Sequence, residues 1–315
     1  MCFKRFLILG IISFFFFPLA AQENFNYLKI PFKFEQAQNR IILPVKIFNR
    51  DFLLSFTTLG EDNGITEKGL FKLSGILGQD IKDYLYSNYA KSNPELSHDE
   101  LENWIKKILN GEEYIFSTSS MSCDTFRFGD EKFRVIYTDT DLDGIISVRA
   151  FKNAKNITLN LKENVFEINK KNDAIKKEDG TKLFYNNEMG FYYILAEIDE
   201  MRQPVLINFM SNLIVTRENT PESEIYEGEV LKNFVIKKLE KPFTREKDTK
   251  HLIKMKIGTA VYKFEAYKYN DVSIYYKTGS EIYSRLLSFY NCAGFPFFKD
   301  KCVQFDFENM MLYVW

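Results

Sequence analysis

Val205-Leu206-Ile207-Asn208-Phe209-Met210-Ser211 is an apolar run that ends in a short turn led by a polar residue. An earlier stretch, Leu54-Ser55-Phe56-Thr57-Thr58-Leu59-Gly60, has the same form. When Asn208 is set against Thr57, the segments leading into both turns correspond without a gap: Val45 falls on Ala196, Ile47 on Ile198 and Phe56 on Ile207. Further on, Ile145-Ile146-Ser147 is matched by Cys292-Ala293-Gly294. Val303, Phe305, Phe307, Leu312 and Val314 then follow Ile157, Leu159, Leu161, Phe166 and Ile168 at a constant offset of 146. The interval from turn to later strand is 90 residues in the first half (57 to 147) and 86 in the second (208 to 294). A fixed offset over alternating apolar positions points to an internal duplication in which each copy builds its own β core. Two unrelated β domains sharing a generic hairpin are the alternative.

The two turns resemble the loop of pepsin-like and retropepsin-like aspartic peptidases. There, two apolar residues precede Asp-Thr-Gly-Ser, and each Asp supplies half of the catalytic pair. Asp143-Gly144-Ile145-Ile146-Ser147 looks like the family's second landmark, two apolar residues and a Gly on the strand that crosses behind the loop, with Ser147 in place of that Gly. The resemblance implies a mostly β, bilobal aspartic-peptidase-like fold, with a helical insertion in the first lobe. The lobes are expected at 22–172 and 173–315, the boundary falling in the charged segment 170–181 that carries Gly180. It also implies that Thr57 and Asn208 occupy the positions of the catalytic aspartates, and that Thr58, Leu59, Phe209, Met210 and Ser211 line the cleft floor.

Both expected acids are therefore missing. An aspartic pair works because two close carboxyl groups cannot both ionise and so share a proton. A threonine hydroxyl and an asparagine amide provide neither an acid nor a base of that kind. Asn208 nearly keeps the shape of Asp and can accept hydrogen bonds from the turn's N–H groups. Leu59 and Met210 replace the family's Gly, so the floor is expected to be apolar and partly occluded. Glu61, Asp62 and Asp199 lie nearby in sequence, but several residues of extended chain place an acid roughly 10 Å or more away. The implied function is a non-catalytic peptide- or protein-binding module with a peptide or protein partner in the inter-lobe cleft. The rivals are an active aspartic endopeptidase using a shifted or unrecognised acid pair, and a structural cell-envelope protein. No cofactor and no metal is expected.

The amino terminus sets the compartment. Lys4 and Arg5 precede an apolar run over residues 6–17, followed by Pro18-Leu19-Ala20-Ala21-Gln22. This is the layout of a signal peptide over residues 1–21, implying a secreted or periplasmic protein. A retained anchor is the competing reading, against which the run falls short of the ~20 apolar residues a bilayer span needs. No second such run is present, so no integral membrane span is expected after its removal. Lys and Arg total 42 against 43 Asp and Glu, a net charge of −1, which argues against a nucleic-acid partner. With 31 Phe and 18 Tyr spread through short alternating segments, the composition favours extensive sheet.

Along the chain, Ile30, Phe32 and Phe34 alternate with polar residues, and a turn is expected at Asn49-Arg50-Asp51. Between 65 and 110 the apolar period lengthens to about 3.6, the signature of helices. Ser97 and Glu100 have capping-box spacing ahead of an apolar stripe of Leu101, Trp104, Ile105 and Ile108, and Gly111 ends it. Phe126 to Phe133 reads as a hairpin turning at Gly129-Asp130, and Ile257-Gly258 is taken as the counterpart of Phe128-Gly129. Residues 240–250 alternate in charge sign and read as a solvated loop. Cys123, Cys292 and Cys302 survive processing, a Cys292–Cys302 bridge being one state open to them in an oxidising compartment. Asp139-Thr140-Asp141-Leu142-Asp143-Gly144 has the opening spacing of a calcium loop, but Ala150 stands where the closing Glu is required. Asn156-Ile157-Thr158 fits a glycosylation acceptor on an expected strand.

Overall fold

A computed structural model describes residues 27–36, 40–60, 62–137, 141–170, 176–187, 190–210, 215–217, 250–269 and 291–315. The expected signal peptide, Ser211, Glu61 and most of the 240–250 loop lie outside them. The chain opens with β1 (Leu28–Pro31), β2 (Lys33–Glu35), β3 (Arg40–Ile47), β4 (Arg50–Thr57) and β5 (Asn63–Ile65), then runs through α1 (Glu67–Leu77), α2 (Ile81–Ser92) and α3 (His98–Leu109). Next come β6 (Tyr114–Thr118), β7 (Met121–Cys123), β8 (Phe126–Arg127), β9 (Glu131–Val135) and β10 (Gly144–Ser147). A 3-10 turn at Val148–Phe151 leads to β11 (Asn156–Asn160) and β12 (Val165–Ile168). The second half holds β13 (Thr181–Asn186), β14 (Phe191–Ile198), β15 (Met201–Asn208), β16 (Val215–Arg217), β17 (Lys250–Ile257) and β18 (Ala260–Tyr269). It ends with β19 (Asn291–Gly294), a one-turn helix α4 (Phe295–Phe298), β20 (Cys302–Asp306) and β21 (Met311–Val314).

The protein is mostly β, and its two halves are built to one plan. β3 and β14 start and end 151 residues apart (40 and 191, 47 and 198), as do β4 and β15 (50 and 201, 57 and 208). β11 and β20, and β12 and β21, keep an offset of 146. The turns repeat as well. Ile47 pairs with Arg50 around Phe48 (φ 49) and Asn49 (φ 62), and Ile198 pairs with Met201 around Asp199 (φ 46) and Glu200 (φ 73). Positive φ at both central residues is what a two-residue type I′ turn requires, because its twist matches that of the flanking strands. Arg50 and Asp51 thus belong to β4 and not to the turn expected from sequence.

Each half then sends a later strand back alongside the one that ends in the key turn. β10 runs parallel to β4 with Ser147 opposite Thr57, and β19 runs parallel to β15 with Gly294 opposite Asn208. The hairpins β11–β12 and β20–β21 meet side by side, Thr158 opposite Gln304 at the centre, so one sheet passes from the first half to the second. One apolar face of this shared sheet, including Ile157, Leu159, Phe166, Val303, Phe305 and Leu312, is buried in a single core that extends through both lobes. β13 continues from the shared sheet into the second lobe's sheet, which closes through β14–β17. In the first lobe the corresponding chain is interrupted at Phe32, so β1 stays with the shared sheet and β2 joins a separate nine-stranded sheet.

The three helices fall between the first turn and β10, as the change of period predicts. Ser97 and Glu100 form the reciprocal capping box, Leu101, Ile105 and Ile108 are buried, and Trp104 stacks on Tyr89 with ring centroids 3.4 Å apart. α1 lies against the core of the lobe at Gly69, where an added Cβ would sit 2.1 Å from the Asp143 carbonyl oxygen.

Two expectations are corrected. β8 pairs with β7 around Asp124 (φ 53), whereas β9 pairs with β6 and β5, so Gly129-Asp130 joins strands that are not partners. Ile257-Gly258 closes the β17–β18 hairpin, so it is no counterpart of Phe128-Gly129. Cys292 and Cys302 are not joined by a disulfide. They lie on β19 and β20, which β21, β13, β14 and β15 separate in the sheet, so the short sequence spacing does not bring them together.

Candidate functional site

The ends of β4 and β15 meet at the junction of the lobes. The Thr58 hydroxyl donates to the carbonyl of Ile207, the residue before Asn208. By the 151-residue offset the mirror image would join Phe209 to Phe56. A phenylalanine cannot make that hydrogen bond, and its ring packs on Phe56 instead with centroids 6.3 Å apart. Phe209 also meets Phe298 at 4.8 Å and Phe305 at 6.4 Å. Among the described residues, the two loops themselves thus meet through a hydroxyl-to-carbonyl bond and an aromatic contact, beside the shared sheet that also joins the halves. Further out, Phe34 of the first lobe stacks on Phe295 of the second at 4.4 Å, and the Arg149 guanidinium lies 5.3 Å over the Tyr185 ring.

Thr57 and Asn208 are each 3% exposed. The Thr57 hydroxyl accepts the Leu59 N–H at 3.1 Å and donates to the Leu59 carbonyl at 3.3 Å. Asn208 Oδ1 accepts the Met210 N–H at 3.1 Å. In both loops a side-chain oxygen thus caps the N–H two residues on, a local turn that short polar side chains stabilise. Thr58 and Phe209 are buried, Leu59 is half-buried, and Met210 is 37% exposed. The contacts that join the two loops are those of Thr58 with Ile207 and of Phe209 with Phe56.

Acids near in sequence are committed elsewhere. Asp62 holds Arg134 at 2.7 Å and the Tyr114 hydroxyl at 2.9 Å, and Asp199 sits in its hairpin turn accepting the Lys254 N–H at 3.1 Å. Asp139 and Thr140 of the calcium-like stretch lie outside the described residues, and lysines of α1 reach two of its later oxygens. Lys68 donates to the Asp141 carbonyl, and Lys72 pairs with the buried Asp143 carboxylate at 2.6 Å. The same Asp143 oxygen accepts the Leu53 N–H at 2.8 Å, tying α1 to β4. Among the described residues there is no cluster of three metal-ligating side chains. Cys123 is unsuited to nucleophilic work: its thiol donates to the Pro44 carbonyl at 3.1 Å, and burial pushes its pKa up to about 12.

Among the buried acids that sequence reasoning missed is Glu131, which is 7% exposed. Its carboxylate accepts from Asn63 Nδ2 at 2.9 Å, and Asn63 Oδ1 accepts the Ser147 N–H at 3.0 Å. The Ser147 hydroxyl then donates to the Gly60 carbonyl at 2.7 Å, reaching the loop that carries Thr57. Burial raises the Glu131 pKa, while the Asn63 hydrogen bond and the charges of Lys152 and Arg149 oppose the rise and Asp130 adds to it. The signal was legible: Glu131, Phe133 and Val135 share one face of a strand, which turns the acid inward with the two apolar residues.

No family model and no curated protein matches this sequence. Among solved structures, a retropepsin-like aspartic protease from Rickettsia conorii is similar over 45% of this chain and 89% of its own, at 11% identity and a TM-score of 0.28. An aspartic proteinase from Irpex lacteus is similar over 92% of this chain and 97% of its own, at 8% identity and a TM-score of 0.46.

Proposed function

We propose that this is an exported aspartic-peptidase-like protein without peptidase chemistry, whose inter-lobe cleft binds an extended peptide or a loop of a partner protein. One observation carries the reading. At the two positions that the sequence resemblance sets against the family's acids, a neutral hydroxyl and a neutral amide each cap their own turn. A water held between them would find no group able to take its proton at ordinary pH. Binding survives such a loss, since a peptide laid along a cleft is held by main-chain hydrogen bonds and side-chain pockets that need no acid pair.

The test is incubation of the purified chain, without residues 1–21, with a mixed peptide library from about pH 3 to about pH 7, where an acid pair would titrate. Peptides recovered bound and intact are expected, with recovery falling when Leu59 and Met210 are both changed to Lys. Cleavage that a transition-state mimic of the family abolishes would establish the rival, an active peptidase with an unrecognised acid pair. Neither cleavage nor retention would favour a structural role in the cell envelope.

A further inference from the structure

We infer that Glu131, Asn63 and Ser147 form a proton-sensitive brace that holds the Thr57 loop firmly in acid and loosens it as the pH rises. The three residues come from β9, β5 and β10, and their hydrogen bonds connect a buried carboxyl group to the Gly60 carbonyl without a break. Asn63 is 2% exposed and Ser147 is fully buried, so water cannot readily replace a lost link. The brace belongs to one lobe. The residue equivalent to Ser147 is Gly294, which has no hydroxyl to reach the second loop.

The groups facing Glu131 define how the brace responds. Asn63 on β5 and Thr118, its register partner on β6, are neutral. The Asn63 hydrogen bond, Lys152 just after the 3-10 turn and Arg149 within it favour the ionised form, and Asp130 disfavours it. Arg149 is also engaged with the Tyr185 ring of the second lobe. Either form of the carboxyl group can accept from Asn63, but only the neutral form avoids burying a charge. Burial holds the carboxyl pKa above its unfolded value, so the folded state binds the proton more tightly. The stabilisation is therefore fully present below the ordinary glutamate range and is lost as pH rises through the raised folded value. Ionisation favours movement of the carboxylate toward solvent and the two cations. That releases Asn63, then Ser147, and with them the loop.

Hydrogen exchange of the peptide spanning residues 57–60, corrected for intrinsic exchange, is compared at about pH 4 and about pH 7, on either side of ordinary glutamate titration. Protection in the wild type is expected to be several-fold lower at the higher pH. Glu131→Gln, which fixes a neutral acceptor, should keep the protection of the lower pH at both. Ser147→Gly, which copies Gly294 and cuts the last link, should lower protection at both and remove its pH dependence. If the loop of Glu131→Gln responds to pH as the wild type does, or the wild-type loop does not respond, the inference is overturned. Should Glu131→Gln not fold, Ser147→Gly decides: a pH dependence that persists without the hydroxyl overturns it. The outcome does not depend on whether the cleft binds or cleaves peptides.

Discussion

Asn208 is a buried amide whose Oδ1 already serves the Met210 N–H, and its replacement by Asp exposes what the neutral residue contributes. The new carboxylate would keep that bond, but at 3% exposure it would also bury a charge. Desolvation of the whole group outweighs one N–H, so the folded pKa should lie above the unfolded one. Asn208→Asp is then expected to match the wild type in acid and to become about 1–3 kcal/mol less stable near neutral pH. Melting temperature followed against pH measures this. Equal losses at both ends of the range would contradict the account. Thr57 presents a different case, because its hydroxyl uses both its donor and its acceptor capacity on Leu59. Both neutral positions are legible in the sequence, since each ends an apolar strand in matched register. The role of Thr58 is not, because its hydroxyl finds its acceptor on a strand 149 residues away.

At the scale of elements, α1 is fixed to the β framework by contacts that a helical pattern does not reveal. Gly69 would ordinarily be improved by alanine, which is better in a helix by about 1 kcal/mol. Here the added methyl would stand 2.1 Å from the Asp143 carbonyl oxygen, a backbone atom that cannot move aside by changing rotamer. The steric term should win, and Gly69→Ala is expected to lower stability by about 2 kcal/mol, as overpacking does. A urea midpoint would show it, and a more stable variant would mean that α1 can lift away without penalty. Beside it, Lys72 pairs with the buried Asp143 carboxylate at 2.6 Å, a second tie between α1 and the residue that leads into β10. The helices were legible from their period and caps. The β7–β8 hairpin was misread because the alternation from Phe126 to Phe133 is common to two strands with different partners.

Across the whole molecule, Phe209 connects the aromatic residues of one lobe to those of the other. It touches Phe56, which meets Phe151 and Phe166, and it also touches Phe298 and Phe305. Removing its ring should cost about 3–5 kcal/mol, the range for a buried phenylalanine cut to alanine. Thr58→Val, which removes the other junction contact while keeping its volume, should cost only about 1 kcal/mol. Calorimetry on both variants tests the order. A smaller loss for Phe209→Ala than for Thr58→Val would show that the hydroxyl contributes more than the aromatic packing where the two loops meet.

The sequence by itself determined the strands, the duplication and the two matched turns. Those are written in short periods and constant offsets, which a linear chain displays directly. It also determined that a neutral hydroxyl and a neutral amide, Thr57 and Asn208, lead the two matched turns, because residue identity needs no coordinates. Only the tertiary structure decided what those turns touch, which acid is buried behind them, and that Cys292 and Cys302 stay apart. The physical reason is that the partners of Thr58, Asn63 and Lys72 lie 149, 68 and 71 residues away, at Ile207, Glu131 and Asp143. Such pairs are selected by how sheets pack and which strands become neighbours, and local alternation carries no record of that choice.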